Sequence, residues 1–151
     1  MQESELRHFV ESCLDYFVNA TSIKAQIGLP YVNNDKSEIL LEYTGIIGIS
    51  GERRGGIYVT CGMPFLTDLI SKVIGSTDNS PAMVKDMVGE LANTISGNAT
   101  KAFGRNFHIS VPMILEGVPK SLTLPMDTPT YVIPVEWQSH KLFLVVGISD
   151  N

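Results

Sequence analysis

Apolar residues recur along this chain in two rhythms, and the switches between them divide it into elements. Over residues 4 to 19, Leu6, Phe9, Val10, Cys13, Leu14 and Phe17 fall three and four positions apart, the spacing of an amphipathic helix. From 38 to 50 the rhythm becomes an alternation that places Ile39, Leu41, Tyr43, Ile47 and Ile49 on one face, and Ile57, Val59 and Cys61 resume it after GERRGG. That pattern predicts a β-hairpin turning through the glycine-rich segment. Pro64 suits the first turn of a second helix carrying Phe65, Leu69, Ile70, Val73 and Ile74, with Gly75 placed to end it. A polar linker, STDNS, follows.

Ser80-Pro81 reads as a helix cap and first-turn proline, and Gly104 as a stop, so a third helix is predicted over 81 to 103. Strands are predicted at 109–115, 120–124, 130–137 and 141–149, separated by turn signals such as Glu116-Gly117 and Gln138-Ser139. Pro112 and Pro134 push their strands toward sheet edges or bulges. The last run, KLFLVVGIS, is apolar on both faces, as a covered central strand would be. Helices early and strands late imply an α+β fold, an antiparallel sheet covered by helices, in a single domain over residues 1–151.

Composition narrows the function. Of the 151 residues 44% are hydrophobic and 18% charged, the balance of an ordinary globular protein. A net charge of −5 gives nucleic-acid phosphates and anionic lipids little to hold. The N-terminus MQESELRHF carries acids where a signal peptide needs cations, and no long apolar run follows, so a cytoplasmic protein without membrane partners is expected. Cys13 and Cys61 lie far apart among apolar residues and are expected in the core. His8, His108 and His140 are scattered without catalytic or metal-ligand spacing, so no metal site is expected. Arg53-Arg54 among glycines lacks the helix start and the Lys-Ser/Thr of a phosphate loop. Trp137 and Tyr131 follow the alternation of the late strands and are assigned to the core.

The third helix holds the unusual residues, in DMVGELANTISGN. At about 100° per residue, Glu90, Asn93 and Gly97 fall within roughly 40° of Asp86, with Gly89 about 60° to one side. Val84, Val88, Leu91, Ile95, Ala99 and Ala102 gather on the opposite face. Each internal glycine costs a helix about 0.5 to 1 kcal/mol against alanine. Placed on the expected solvent side, Gly89 and Gly97 would lower the walls around Glu90 and Asn93 and admit another molecule. The residues alone leave other readings open: a solvated polar face, or two carboxylates one turn apart making a poor cation site.

Asp86, Glu90, Asn93 and Gly97 at these intervals resemble the signature of the CheC/CheX/FliY chemotaxis phosphatases, whose hallmark is an ExxN pair on an exposed helix. The upstream hairpin ISGERRGGIYVTC and the proline-started helix after it resemble the layout of the CheX branch. The resemblance implies a phosphatase acting on the aspartyl phosphate of a CheY-like response regulator. It further implies that Asn93 orients the attacking water, that Glu90 pairs with the regulator's lysine and that Asp86 supports them, with Gly89 and Gly97 supporting the site through the lowered walls. No cofactor is expected on this chain, since Mg²⁺ would be bound by the partner regulator. Glu11 is followed by Leu14 where a second ExxN pair would need Asn, so one site per chain is expected. Pro112 is the candidate for a proline the family carries after the motif helix, and a homodimer formed through the sheet is expected by the same likeness. The competing reading is a non-catalytic interaction module, like the flagellar switch components.

Overall fold

The computed structural model describes residues 1–33, 39–118 and 129–150. Helix α1 (Glu3–Thr21) opens the chain, and Ser22, with a left-handed φ of 62°, closes it by donating its N–H to Val18 O. Two short strands follow, β1 (Gln26–Ile27) and β2 (Tyr31–Asn33). The hairpin strands β3 (Tyr43–Gly51) and β4 (Arg53–Cys61) lead to α2 (Met63–Ile74). The long helix α3 (Pro81–Thr100) runs into a 3-10 turn at Lys101–Phe103, and the chain ends in β5 (Phe107–Ile109), β6 (Met113–Glu116), β7 (Thr130–Trp137) and β8 (His140–Asp150).

All the pairings are antiparallel, in the order β1-β7-β8-β4-β3-β5, with β2 also on β7 and β6 also on β3. The last strand lies between β7 and β4, and Leu142, Leu144, Val145 and Val146 are buried along it, as its two-faced apolar run required. Alternation then divides the side chains. Ile47, Ile49, Ile57, Val59, Cys61, Ile133, Val135, Trp137, Leu144 and Val146 point to the face that the three helices cover. Ile46, Tyr58, Val132 and Val145 point to the other face, where they form a smaller cluster. On that face the hydroxyls of Thr44 and Thr60 lie 3.0 Å apart, so two buried polar groups satisfy each other.

Several sequence expectations are corrected. Arg53 to Gly56 belong to β4 rather than to the turn, which leaves only Glu52 between the strands; Gly51, the last residue of β3, has a φ of 105°, a conformation that favours glycine. At Gly55 no side chain fits between β4 and β8, because a Cβ there would lie 1.9 Å from Gly147 O. Residues 39–42 precede β3 instead of continuing it. Regular α-helix stops at Thr100, three residues before the expected end, and Ala102 is therefore exposed instead of facing the core. The strand expected at 120–124 lies outside the described residues.

The prolines sit where their missing N–H groups do no harm. Pro112 lies in the link between β5 and β6. Pro134 lies in β7 opposite the break between β1 and β2, where its carbonyl accepts the Gly28 N–H at 2.9 Å.

Candidate functional site

The site is built on α3, and the start of that helix is fixed by local chemistry. Ser80 caps it, its Oγ accepting the Met83 N–H at 3.4 Å, and Asp78 accepts the Ser80 N–H at 2.9 Å. The core face then buries Val84, Val88, Leu91, Ile95 and Ala99. The buried arc is wider than the wheel predicted, for Met87, Gly89, Ala92 and Ser96 are buried as well. Neighbours on both flanks account for this.

On one flank α1 packs against α3 in the antiparallel sense. Phe9 meets Phe103 with ring centroids 6.0 Å apart, and Ser12 Oγ donates to Ile95 O at 2.7 Å. On the other flank lies the sheet edge. Gly45 of β3 lets the helix close on the sheet, since a Cβ there would come to 3.1 Å from both the Val88 carbonyl oxygen and the Ala92 Cβ. Beyond it β6 pairs with β3, setting Ile114 opposite Gly45 and against Gly89.

This overturns the expectation for Gly89. It is not a solvent-side gap but a buried contact: a Cβ on it would lie 3.2 Å from Ile114 Cδ1 and 3.7 Å from Pro112 Cγ. Gly97 is half-buried, with Ile109 Cδ1 at 4.0 Å from the same hypothetical atom. Gly89 therefore makes room for an edge strand rather than for a visitor, whereas at Gly97 a methyl group would meet only an ordinary contact. Alternation and wheel could not reveal this, because the neighbour comes from residues 109 to 114, beyond the helix.

Along the middle of the helix Asp86, Glu90 and Asn93 form an exposed strip. These three side chains form one wall of a shallow groove of about 480 Å³ whose other wall is Val111, Pro112 and Ile114. Lys85 stands at its margin and is tied to Glu116 of β6 at 3.0 Å, a bridge between helix and edge strand. The far wall is anchored to the sheet: Ser110 N–H donates to Gly48 O at 2.9 Å, and Gly48 N–H donates to Ser110 Oγ at 2.8 Å. Val111 beside it is 84% exposed, an apolar surface next to two polar side chains. That wall was missed from sequence, although Pro112 had been singled out.

Chemically the strip offers a carboxamide, which both donates and accepts, one turn from a carboxylate. The groove lacks a histidine or cysteine nucleophile, and among the described residues no three His, Cys, Asp or Glu side chains converge as metal ligands would. Burial pushes the Cys13 thiol up to about 12 and raises Cys61 further, so both are inert core residues. One further feature borders the strip. Tyr16 of α1 is buried, its hydroxyl has no hydrogen-bond partner among the described residues, and burial followed by the charge of Glu90 raises its ionisation above the usual phenol range.

Known structures share this architecture. A CheC-like superfamily protein from Shewanella sp. PV-4 superposes with a TM-score of 0.86 at 20% identity, with 99% of each chain covered. Chemotaxis protein CheX from Vibrio vulnificus gives 0.85 at 20% identity, covering 97% of this chain and 99% of its own. A chain of the CheX–CheY–BeF3–Mg²⁺ complex from Borrelia burgdorferi gives 0.78 at 17% identity, covering 97% of this chain and 98% of its own. The fold is thus of the CheC/CheX-like class. The sequence profile of the chemotaxis phosphatase CheX family matches residues 43–136, which include β3 through α3 and nearly all of β7, and the chain belongs to that family. Comparison with curated protein sequences finds no match.

Proposed function

We propose that the Glu90–Asn93 strip dephosphorylates the aspartyl phosphate of a CheY-like response regulator. The observation that carries this reading is the exposure of Glu90 and Asn93 together on a helix otherwise held on three sides. Hydrolysis of an acyl phosphate requires a water held in line with the breaking P–O bond, and little else from the protein. Asn93 suits that task because its amide accepts from the water while donating to the phosphoryl oxygens, with no titration near neutral pH. Glu90 supplies a charge-assisted contact for the regulator's lysine ammonium, which sets the register in which the amide enters. Asp86, one turn earlier on the same strip, supports the docking face. Gly89 supports it from below, by letting β6 lie against the helix, and Gly97 keeps the end of the strip low without being required by β5.

The groove's far wall fits the same partner, since Val111 offers apolar contact beside the charged docking point. Mg²⁺, in this reading, belongs to the regulator's own acidic pocket, as the Borrelia complex contains it together with CheY. The cytoplasm, where response regulators work, is the location this reading assigns. Assembly as a homodimer is part of the proposal, but its apolar C-terminal strands are internal, because β1 and β2 cover the outer edge of β7. A free edge for a second copy would have to be β1–β2 or β5–β6, and light scattering after size exclusion measures the state directly.

The deciding experiment follows acyl-phosphate loss from a CheY-type regulator of the same organism after loading with acetyl phosphate. Wild type accelerates the loss; Asn93→Ala removes the acceleration while retaining affinity for the beryllofluoride-activated regulator. Binding without acceleration by the wild-type chain would instead establish the non-catalytic interaction module.

A further inference from the structure

The packing of α1 against α3 places a buried hydroxyl beside the docking carboxylate. The two helices run antiparallel: Phe9 meets Phe103 of the turn that follows α3, and Ser12 meets Ile95 within α3. One turn further along α1 comes Tyr16, which therefore faces the turn of α3 that carries Glu90. On the wheel Glu90 stands about 100° from Gly89, which faces β6 where Ile114 meets it, and the charge of Glu90 reaches Tyr16.

Tyr16 is 5% exposed, its ring packs edge-on against Phe17 at 5.3 Å, and its hydroxyl lacks a partner among the described residues. A buried unpaired hydroxyl lowers stability and calls for an explanation. Phenylalanine would fill the same space without that cost. The phenol also remains a donor at neutral pH, since burial and then the charge of Glu90 both disfavour its ionisation.

We infer that Tyr16 is a positioning residue for Glu90: its O–H donates to the Glu90 carboxylate as the regulator docks, fixing the direction in which the other carboxylate oxygen meets the incoming ammonium. A long, exposed glutamate loses rotamer freedom on binding, and a hydrogen bond gained from a donor beneath it offsets that loss. The inference rests on the docking role proposed for Glu90.

The test compares wild type, Tyr16→Phe, Glu90→Ala and the double variant, using a CheY-type regulator of the same organism phosphorylated by acetyl phosphate. Tyr16→Phe is expected to raise KM about threefold to tenfold, the range of one net hydrogen bond, with kcat within about twofold of wild type. Its thermal midpoint is expected at or above that of wild type, because an unpaired buried hydroxyl is gone. In the Glu90→Ala background Tyr16→Phe is expected to change nothing. An unchanged KM for Tyr16→Phe, an equal rise without Glu90, or a rise accompanied by a lower thermal midpoint would each overturn the inference while leaving the phosphatase reading intact. If Glu90→Ala itself leaves KM unchanged, the docking role fails, and the assignment of Tyr16 with it.

Discussion

Gly89 of α3 lies directly beneath Ile114 of β6, so close that a Cβ on the glycine would come to 3.2 Å from the isoleucine Cδ1. The helix that carries the exposed strip and the strand that forms the far wall of its groove are thus spaced by a missing methyl group. Gly97 is different, because its hypothetical Cβ meets only Ile109 Cδ1, at an ordinary 4.0 Å. Gly97→Ala is expected to stabilise the protein by up to about 1 kcal/mol through helix propensity. Gly89→Val is expected to destabilise it by about 1 to 3 kcal/mol, since overpacking must displace Ile114 and Pro112. Urea midpoints of the two variants should therefore move in opposite directions, and movement in the same direction would contradict this account.

Asn93→Asp preserves the shape of the side chain while replacing the amide donor by a negative charge. A carboxylate at neutral pH donates nothing, and it repels phosphoryl oxygens. The rate of acyl-phosphate loss should fall as far as in Asn93→Ala, by at least about a hundredfold if water positioning is the main contribution. Single-turnover kinetics would show this, and near-wild-type activity in the aspartate variant would exclude the amide's donor as an essential part.

Acid should loosen the corner where α1, the hairpin and β8 meet. Burial tends to raise the Glu5 carboxyl, but the Arg53 hydrogen bond at 2.7 Å, the Gln2 backbone N–H and the charge of Arg53 together bring it below its ordinary value of 4.5. A lowered folded-state value means that the contribution is complete above pH 4.5 and is lost as pH falls below it toward the folded-state value. The pair is reached by solvent, so the contribution is about 1 kcal/mol or less. Thermal midpoints measured from about pH 6 to pH 3 should fall less steeply for Glu5→Gln than for wild type.

The cysteines give a probe of opening. Cys13 and Cys61 are buried, with thiols held protonated by desolvation. Iodoacetamide at about pH 8 should leave both unmodified in the folded protein and label both in urea. Rapid labelling of either under native conditions would show that α1 or the end of β4 opens locally.

Where a pattern was set by one element's own period, the sequence disclosed it. The helix stripes, the alternation that assigns Ile57 and Val59 to the covered face, and the two-faced run of β8 all follow from periods of 3.6 and 2. The exposure of Asp86, Glu90 and Asn93 follows in the same way. Reading failed where a distant segment supplied the reason. Gly89 looked like an opening because nothing in residues 81 to 103 announces Ile114, and Arg53 looked like a turn residue because its pairing opposite Asp150 lies at the far end of the chain. Tyr16 escaped notice since a tyrosine on a helix is ordinary, and only burial without a partner makes it unusual.

The pairing of β4 with β8 also governs how the chain reaches its native state. Ile57 is hydrogen-bond neighbour to Val146, so the middle of the sheet joins segments separated by more than half of the sequence. Such closure has a large loop entropy and is characteristic of slow folding, while α1, α2, α3 and the β3–β4 hairpin need only local contacts. On a ribosome, the helix bearing Glu90 and Asn93 would therefore be made well before β8, the strand that pairs with β4 beneath it. Closing β8 between β4 and β7 is then the step that joins the early hairpin, on which α3 rests, to the rest of the sheet.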